Sequence, residues 1–172
     1  IMARISYSQF SQWVQCPHKW KLQYIDGYGQ FKGNIYTIFG SAIHECIQLY
    51  LRVMYAESIK KANELPLDEF LMDEMKKQYL ETKESLEEGE VLSSAEELKE
   101  FYFQGVQILD YFKKKRAQYF SKKGYSLAGI ERPLNYKLPK NLNFVGFIDV
   151  IIRDEIRDRL KIMDIKTSTM GW

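Results

Sequence analysis

Gly146-Phe147-Ile148-Asp149, followed after a short polar stretch by Met163-Asp164-Ile165-Lys166-Thr167-Ser168, decides how this chain reads. The apolar runs carrying these residues, 143–153 and 160–167, flank a polar turn from Asp154 to Arg159 and together predict a hairpin. Side chains alternate along a strand, so Asp164 and Lys166 share one face. The hairpin is symmetric about the bond between Ile156 and Arg157, which sets Asp154 against Arg159 and Asp149 opposite Asp164. Carboxylates so placed have Cβ atoms roughly 4.5–5.5 Å apart and repel unless something compensates them. A divalent cation with oxygen ligands would do so, and Lys166 adds a positive head one strand step away. The competing reading is a solvent-facing polar patch in which Lys166 pairs with a carboxylate. Phe147, Ile151 and Ile162 share the carboxylate face and argue against it. The pattern reads as a metal site.

Upstream, a third alternating run covers 127–138, and before Gly124 the period becomes helical. Ser8 is a candidate N-cap for a helix through Gln15, and Pro17 suits the first turn of a second helix carrying Trp20, Leu22, Tyr24 and Ile25. Gly27, Gly29 and Gly33 mark a loop. One long helix is expected from Gly40 to about Ala62, with Ile43, Ile47, Leu51 and Met54 at helical spacing and His44 beside that stripe. Helices over 67–87 and 95–122 follow, parted at Gly89. Helices first and strands last indicate an α/β (α+β) fold, organised as a helical region over 1–124 and core strands over 125–172 of one structural domain.

The 172 residues are enough to bury a real core, and 45% apolar with 28% charged residues is ordinary for a globular protein. No apolar run approaches the ~18 residues of a membrane span, and a secretory h-region is not seen, so a cytoplasmic protein without membrane contact is expected. Cys16 and Cys46 are too few and too scattered for a disulfide framework. Charge is unevenly spread. Residues 64–100 hold 13 acidic and 4 basic side chains, net −9, so the remainder of a +2 chain carries +11. Such asymmetry is compatible with a nucleic-acid surface kept apart from an acidic segment.

Taken with Gly40-Ser41-Ala42-Ile43-His44 and Glu131, the Gly146–Asp149 and Asp164–Ser168 motifs resemble the PD-(D/E)xK nuclease superfamily, and within it the RecB-like exonuclease branch of phage and CRISPR-adaptation nucleases. Ser6-Tyr7-Ser8 and Cys16-Pro17-His18-Lys19-Trp20 resemble the N-terminal helices of that branch, so the likeness runs from about Ser6 to Ser168. It implies a restriction-endonuclease-like core sheet behind an N-terminal helical subdomain. Such relatives usually continue past the D-x-K strand into a helix bearing Q-x-x-x-Y. Gln107 and Tyr111 have that spacing but precede the strands, so the sheet is expected to be incomplete at its C-terminal side, needing a further segment or a partner chain. Some relatives hold an iron–sulfur cluster with one N-terminal and three C-terminal cysteines. Cys16 stands at the first position, but the chain supplies no such set, so no cluster is expected.

The resemblance implies Asp149, Asp164 and the Ile165 carbonyl as ligands of Mg²⁺ or Mn²⁺, His44 as an accessory ligand, and Lys166 as the group that holds the attacking water and stabilises the transition state. Glu131, ahead of Arg132-Pro133, is a further candidate acid, or else the partner of a surface arginine. Tyr7, Trp13, Trp20, Tyr24 and Tyr36, interleaved with Lys19, Lys21 and Lys32, are candidates for stacking and phosphate contacts with single-stranded DNA. Lys113–Arg116, including Lys114, with Lys122 and Lys123, offers a second basic run, which also reads as a solvated helix face. The expected activity is metal-dependent hydrolysis of DNA, as an exonuclease on single-stranded ends in recombination, repair or defence. The rivals are a DNA-binding module that does not cut, and a subunit that docks a partner through its acidic segment.

Overall fold

The computed structural model describes residues 3–29, 33–86 and 90–167; Lys32, Gly89 and Ser168 lie outside them. The order is β1 (Ala3–Ser6), α1 (Tyr7–Gln15), α2 (Pro17–Tyr24), α3 (Ile35–Ala56), α4 (Ile59–Asn63), α5 (Leu67–Glu84), α6 (Ala95–Tyr119), β2 (Tyr125–Leu138), β3 (Leu142–Asp154) and β4 (Arg159–Met163). The fold is mixed α/β, with a four-stranded mixed sheet among the described residues. No helix among the described residues is long and apolar enough to cross a membrane.

The long central helix starts earlier and stops sooner than its apolar stripe predicts. Asn34 and Thr37 build a reciprocal capping box, Asn34 Oδ1 accepting the Thr37 N–H at 3.0 Å and Thr37 Oγ1 the Asn34 N–H at 2.9 Å. At the other end Ser58 caps a separate short helix, so 59–63 is α4 rather than the tail of α3. Ser6, not Ser8, caps α1, and the Cys16 thiol caps α2 by accepting the Lys19 N–H. Ile43, Ile47, Leu51 and Met54 are all buried, as their spacing requires. Each such side chain contributes roughly 1.5–3 kcal/mol by leaving water.

α3 is buried over so wide an arc because helices and sheet cover it from different sides, and it packs on α4, α5, α6 and β2. Gly105 lets α6 approach: a Cβ there would lie 2.6 Å from Leu71 Cδ2 and 3.1 Å from Phe39 Cε2. Phe101 meets Phe39 and Tyr36, and Phe112 meets Tyr50 edge-on, so α6 runs alongside α3 in the same direction. Val150 and Ile152 of β3 close the core from the sheet side.

The β3–β4 hairpin has the predicted register, with Asp154 against Arg159 and Val150 against Met163. β4 nevertheless ends at Met163, before the D-x-K residues. The strand missed in the sequence is β1, four residues that pair in parallel with 142–145. Sequence position 1–124 is therefore not purely helical; its first residues belong to the sheet. Because β2 occupies one edge of β3 along its whole length, β1 and β4 must share the other. β1 covers 142–145, β4 covers 150–154, and Gly146–Asp149 lies between them with no strand partner on that side among the described residues.

Candidate metal centre at a fork in the sheet

Diverging neighbours along one strand edge leave a crevice, which is where open α/β sheets place their ligands. Here β1 turns away into α1 after Ser6, opposite Val145, and the chain leaves β4 after Met163, opposite Val150. The motif Gly146-Phe147-Ile148-Asp149 faces the crevice between them. Asp149 is thus placed by topology at the point where the ladder stops.

The Asp149 side chain, 16% exposed, reaches into that edge and accepts the Ile165 N–H at 2.7 Å. A carboxylate replaces the main-chain acceptor that a longer β4 would have met. The next peptide is held from α3: His44 Nε2 donates to the carbonyl of the same residue, Ile165, and lies 3.9 Å from Asp149 Oδ2. A carbonyl only accepts, so this contact assigns the proton to Nε2. Asp149, His44 and the Ile165 backbone therefore form one connected group across strand, helix and outgoing chain. Gly40, one turn before His44, keeps the approach open, since a Cβ there would stand 3.0 Å from Thr167 Oγ1. An open cleft of about 260 Å³ results, lined by Thr37, Ser41, His44, Ile165, Lys166 and Thr167. The hydroxyls of Ser41 and Thr167 were not anticipated; the only sequence cue to Ser41 is its place one turn ahead of His44.

Asp164 and Lys166 stand elsewhere. They project together, as residues two apart should, but into solvent, with side chains 62% and 57% exposed and an ion pair of 3.0 Å between them. Among the described residues no three His, Cys, Asp or Glu side chains converge as a ligand cluster. The face that Asp149 shares with Phe147 and Ile162 is also more open than their apolar character suggested, at 74% and 68% exposure, because the core takes Val150 and Ile152 from the opposite face. Glu131 stands opposite Asp149 in the β2–β3 register, between the Ile130–Val150 and Arg132–Ile148 pairs. Its backbone is left-handed, φ +47°, the pair with Asp149 is missing from the ladder, and its side chain is exposed.

The donor set suits a hard cation. Asp149 is a largely buried carboxylate with a backbone carbonyl and an imidazole at hand, and Asp164 is one residue from that carbonyl. Oxygen-rich sites of this kind take hard divalent cations such as Mg²⁺. The cysteines offer nothing comparable. Burial pushes the Cys46 thiol up to about 12, with help from Glu74 and Glu45, so it stays a neutral core group. Cys16 is exposed on the helix cap.

The residues expected to meet nucleic acid are scattered. Trp20 is half-buried against Tyr24, ring centroids 6.4 Å apart, Lys19 is exposed, and Lys21 pairs with Asp26 at 3.2 Å. On α6 Lys114 is exposed, whereas Arg116 turns inward, its Nη1 donating to the Lys113 carbonyl and its Nε buried.

A mixed sheet backed by a long helix, bringing a carboxylate, a backbone carbonyl and an imidazole to the fork between two strands, has the make-up of a restriction-endonuclease-like nuclease. The chain belongs to the PD-(D/E)XK nuclease superfamily, whose family model matches residues 4–171. It is accordingly a nuclease of a superfamily that generally uses divalent metals such as Mg²⁺ on DNA. Among proteins of curated function, none matches it.

Proposed function

We propose that this nuclease works from a free DNA end, with preference for a single strand, as members of the RecB-like exonuclease branch do in recombination, repair or defence. The observation that carries the site assignment is the group formed by Asp149, the Ile165 backbone and His44 at the unpaired segment of β3. Asp149, the Ile165 carbonyl and Asp164 would hold Mg²⁺ or Mn²⁺, with His44 as the accessory ligand once its Nε2 gives up the proton it donates to that carbonyl. The bound ion would supply charge neutralisation at the phosphate and a more acidic water.

The chain's own groups do the rest. His44 fixes the Ile165 carbonyl, and the Asp149 contact fixes the amide of the same residue, so the D-x-K segment is oriented from both sides. Lys166, on the opposite side of that segment, gives its ammonium to the attacking water and the charge growing on the phosphate. To do so it exchanges Asp164 for substrate, which its exposed position allows. That exposure also favours a second reading, a module of the same fold that grips DNA without cutting, since Asp164 does not stand beside Asp149.

The test is incubation with 5′- and 3′-labelled single- and double-stranded DNA under Mg²⁺, Mn²⁺ or EDTA, with Asp149→Ala and Asp164→Ala beside the wild type. Degradation from one end, abolished by EDTA and lowered at least roughly a thousandfold by Asp149→Ala, is the expected result. Internal cuts would replace the exonuclease by an endonuclease. Metal binding without cleavage in any combination would establish the second reading.

A further inference from the structure

α1 is an amphipathic helix turned inside out. On a helical wheel Tyr7, Phe10, Trp13 and Val14 fall within an arc of about 120°. In a helix that serves a core this arc would be covered. Here the four are 69%, 50%, 50% and 60% exposed, while Gln9, Ser11 and Gln12 on the other side are the better covered residues. Gln12 Nε2 donates to Gln23 Oε1 of α2 at 2.8 Å, so the polar side makes the internal contact. Neither α1 nor α2 has a single buried residue.

Three features say what covers the stripe. It is mainly aromatic, and Tyr7, Phe10 and Trp13 share no ring contact with one another or with the rest of the described chain, so their faces are available. Successive rings climb about 4.5 Å along the helix, a spacing an extended single strand can follow base by base. The surroundings are cationic. The seventeen residues of α1 and α2 include Lys19, Lys21 and His18 and no carboxylate, whereas the acidic side chains concentrate in 64–100. A polyanion with flat apolar faces matches such a surface better than an acidic or aliphatic protein segment does. Lastly, α1 starts at the crevice. Ser6 pairs with Val145, and Asp149 lies four residues further along β3, about 13 Å away.

We propose that α1 is the stacking track for single-stranded nucleic acid, Tyr7, Phe10 and Trp13 receiving bases and Lys19 of α2 a phosphate, with the strand leading toward the fork. This rests on the nuclease reading of the fork, and it narrows the stacking candidates to Tyr7 and Trp13, adds Phe10, and sets aside Trp20 and Tyr24, which pack on each other.

The test is fluorescence anisotropy with a labelled oligothymidylate of roughly 15 nucleotides in EDTA, using the full chain so that binding is read without cleavage. Phe10→Leu and Trp13→Leu keep apolar bulk and remove the ring, and each should weaken binding by roughly 5- to 150-fold. The Lys60→Ala variant on α4, an exposed lysine away from α1 and α2, should change it little. With Trp20 and Trp172 replaced by Phe, the emission of Trp13 should be quenched on binding. An unchanged Kd in both leucine variants overturns the track, as does unquenched Trp13. If the leucine variants behave as wild type while Phe10→Ala abolishes a concentration-dependent dimer, the stripe is a protein contact and the proposal fails. The two readings separate cleanly. Strong ring-dependent binding with no cleavage in Mg²⁺ or Mn²⁺ sinks only the catalytic reading, and end-dependent cleavage indifferent to the rings sinks only the track.

Discussion

α3 and α1 are both amphipathic, and they dispose of their apolar faces in opposite ways. α3 buries eleven of its twenty-two residues between other helices and the sheet, and its one catalytic candidate, His44, emerges at the rim of that packing. α1 buries none and turns its aromatic residues outward. The difference teaches that the same sequence signal, apolar residues at helical spacing, marks an internal contact in one helix and an outward face in the other. What separates them is composition: the α3 face is mostly Ile, Leu, Ala and Met, with Phe39 and Tyr50 packed on rings of α6, while the α1 face is three rings and a valine among Ser and Gln.

The contrast breaks most readily by truncation. Leu51→Ala in α3 should cost about 2–5 kcal/mol of unfolding free energy. Val14→Ala in α1 should stay within about 0.5 kcal/mol. Urea titrations of the two variants check this, and a comparable loss for Val14→Ala would mean that α1 is covered in solution. A finer probe lies inside the buried helix itself. Gln48, one turn after His44, is completely buried with neither amide atom hydrogen-bonded among the described residues. Such a group carries a penalty of roughly 1–3 kcal/mol, so Gln48→Leu should raise the thermal midpoint. A lowered midpoint would show that an ordered water satisfies the amide and that this stretch of α3 is less apolar than its neighbours.

The gentlest probe concerns the hairpin that carries Asp149. Asp154 closes it, fully buried and bonded to the Arg157 N–H at 3.2 Å, with Arg157 Nη1 at 3.3 Å and Arg159 Nε at 3.5 Å. Burial pushes this carboxyl up, but the Arg157 N–H and guanidinium, with Arg159, outweigh it and hold it below the usual 3.8. A carboxyl lowered in the folded state stabilises above its unfolded value and loses that contribution as the pH falls through the folded one. Unfolding midpoints of the wild type should therefore fall as the pH drops below about 4. Asp154→Asn should flatten that fall, and an unaltered slope would remove Asp154 from the account.

Much of this architecture was legible. The hairpin register followed from where its polar turn sits, and the α3 stripe from the positions of Ile43, Ile47, Leu51 and Met54. Asp149, His44 and Ile165 were nominated by resemblance, and they lie together; the roles given them remain proposals. The parts that could not be read share a cause: they depend on partners remote in sequence or on the backbone. Four residues of β1 show no pattern of their own and become a strand only by pairing with 142–145. The Ile165 amide and carbonyl, which link Asp149 to His44, have no letter in the sequence. Asp164 was expected to face Asp149, but the ladder stops at Met163 and Asp164 pairs with Lys166 instead.

The two strands that frame the fork differ in how far the chain must travel to place them. β4 returns through a tight turn, while β1 joins position 3 to position 142. The entropy of closing the longer loop exceeds that of the shorter by about 2–3 kcal/mol, so the hairpin is the local, early product of folding and the parallel pairing the late one. A chain still folding thus carries the hairpin that bears Asp149 well before the crevice beside Gly146 acquires its second wall. The framed site is in this sense a record of finished folding, and a molecule that loses its first strand loses the fork while keeping nearly all of its core.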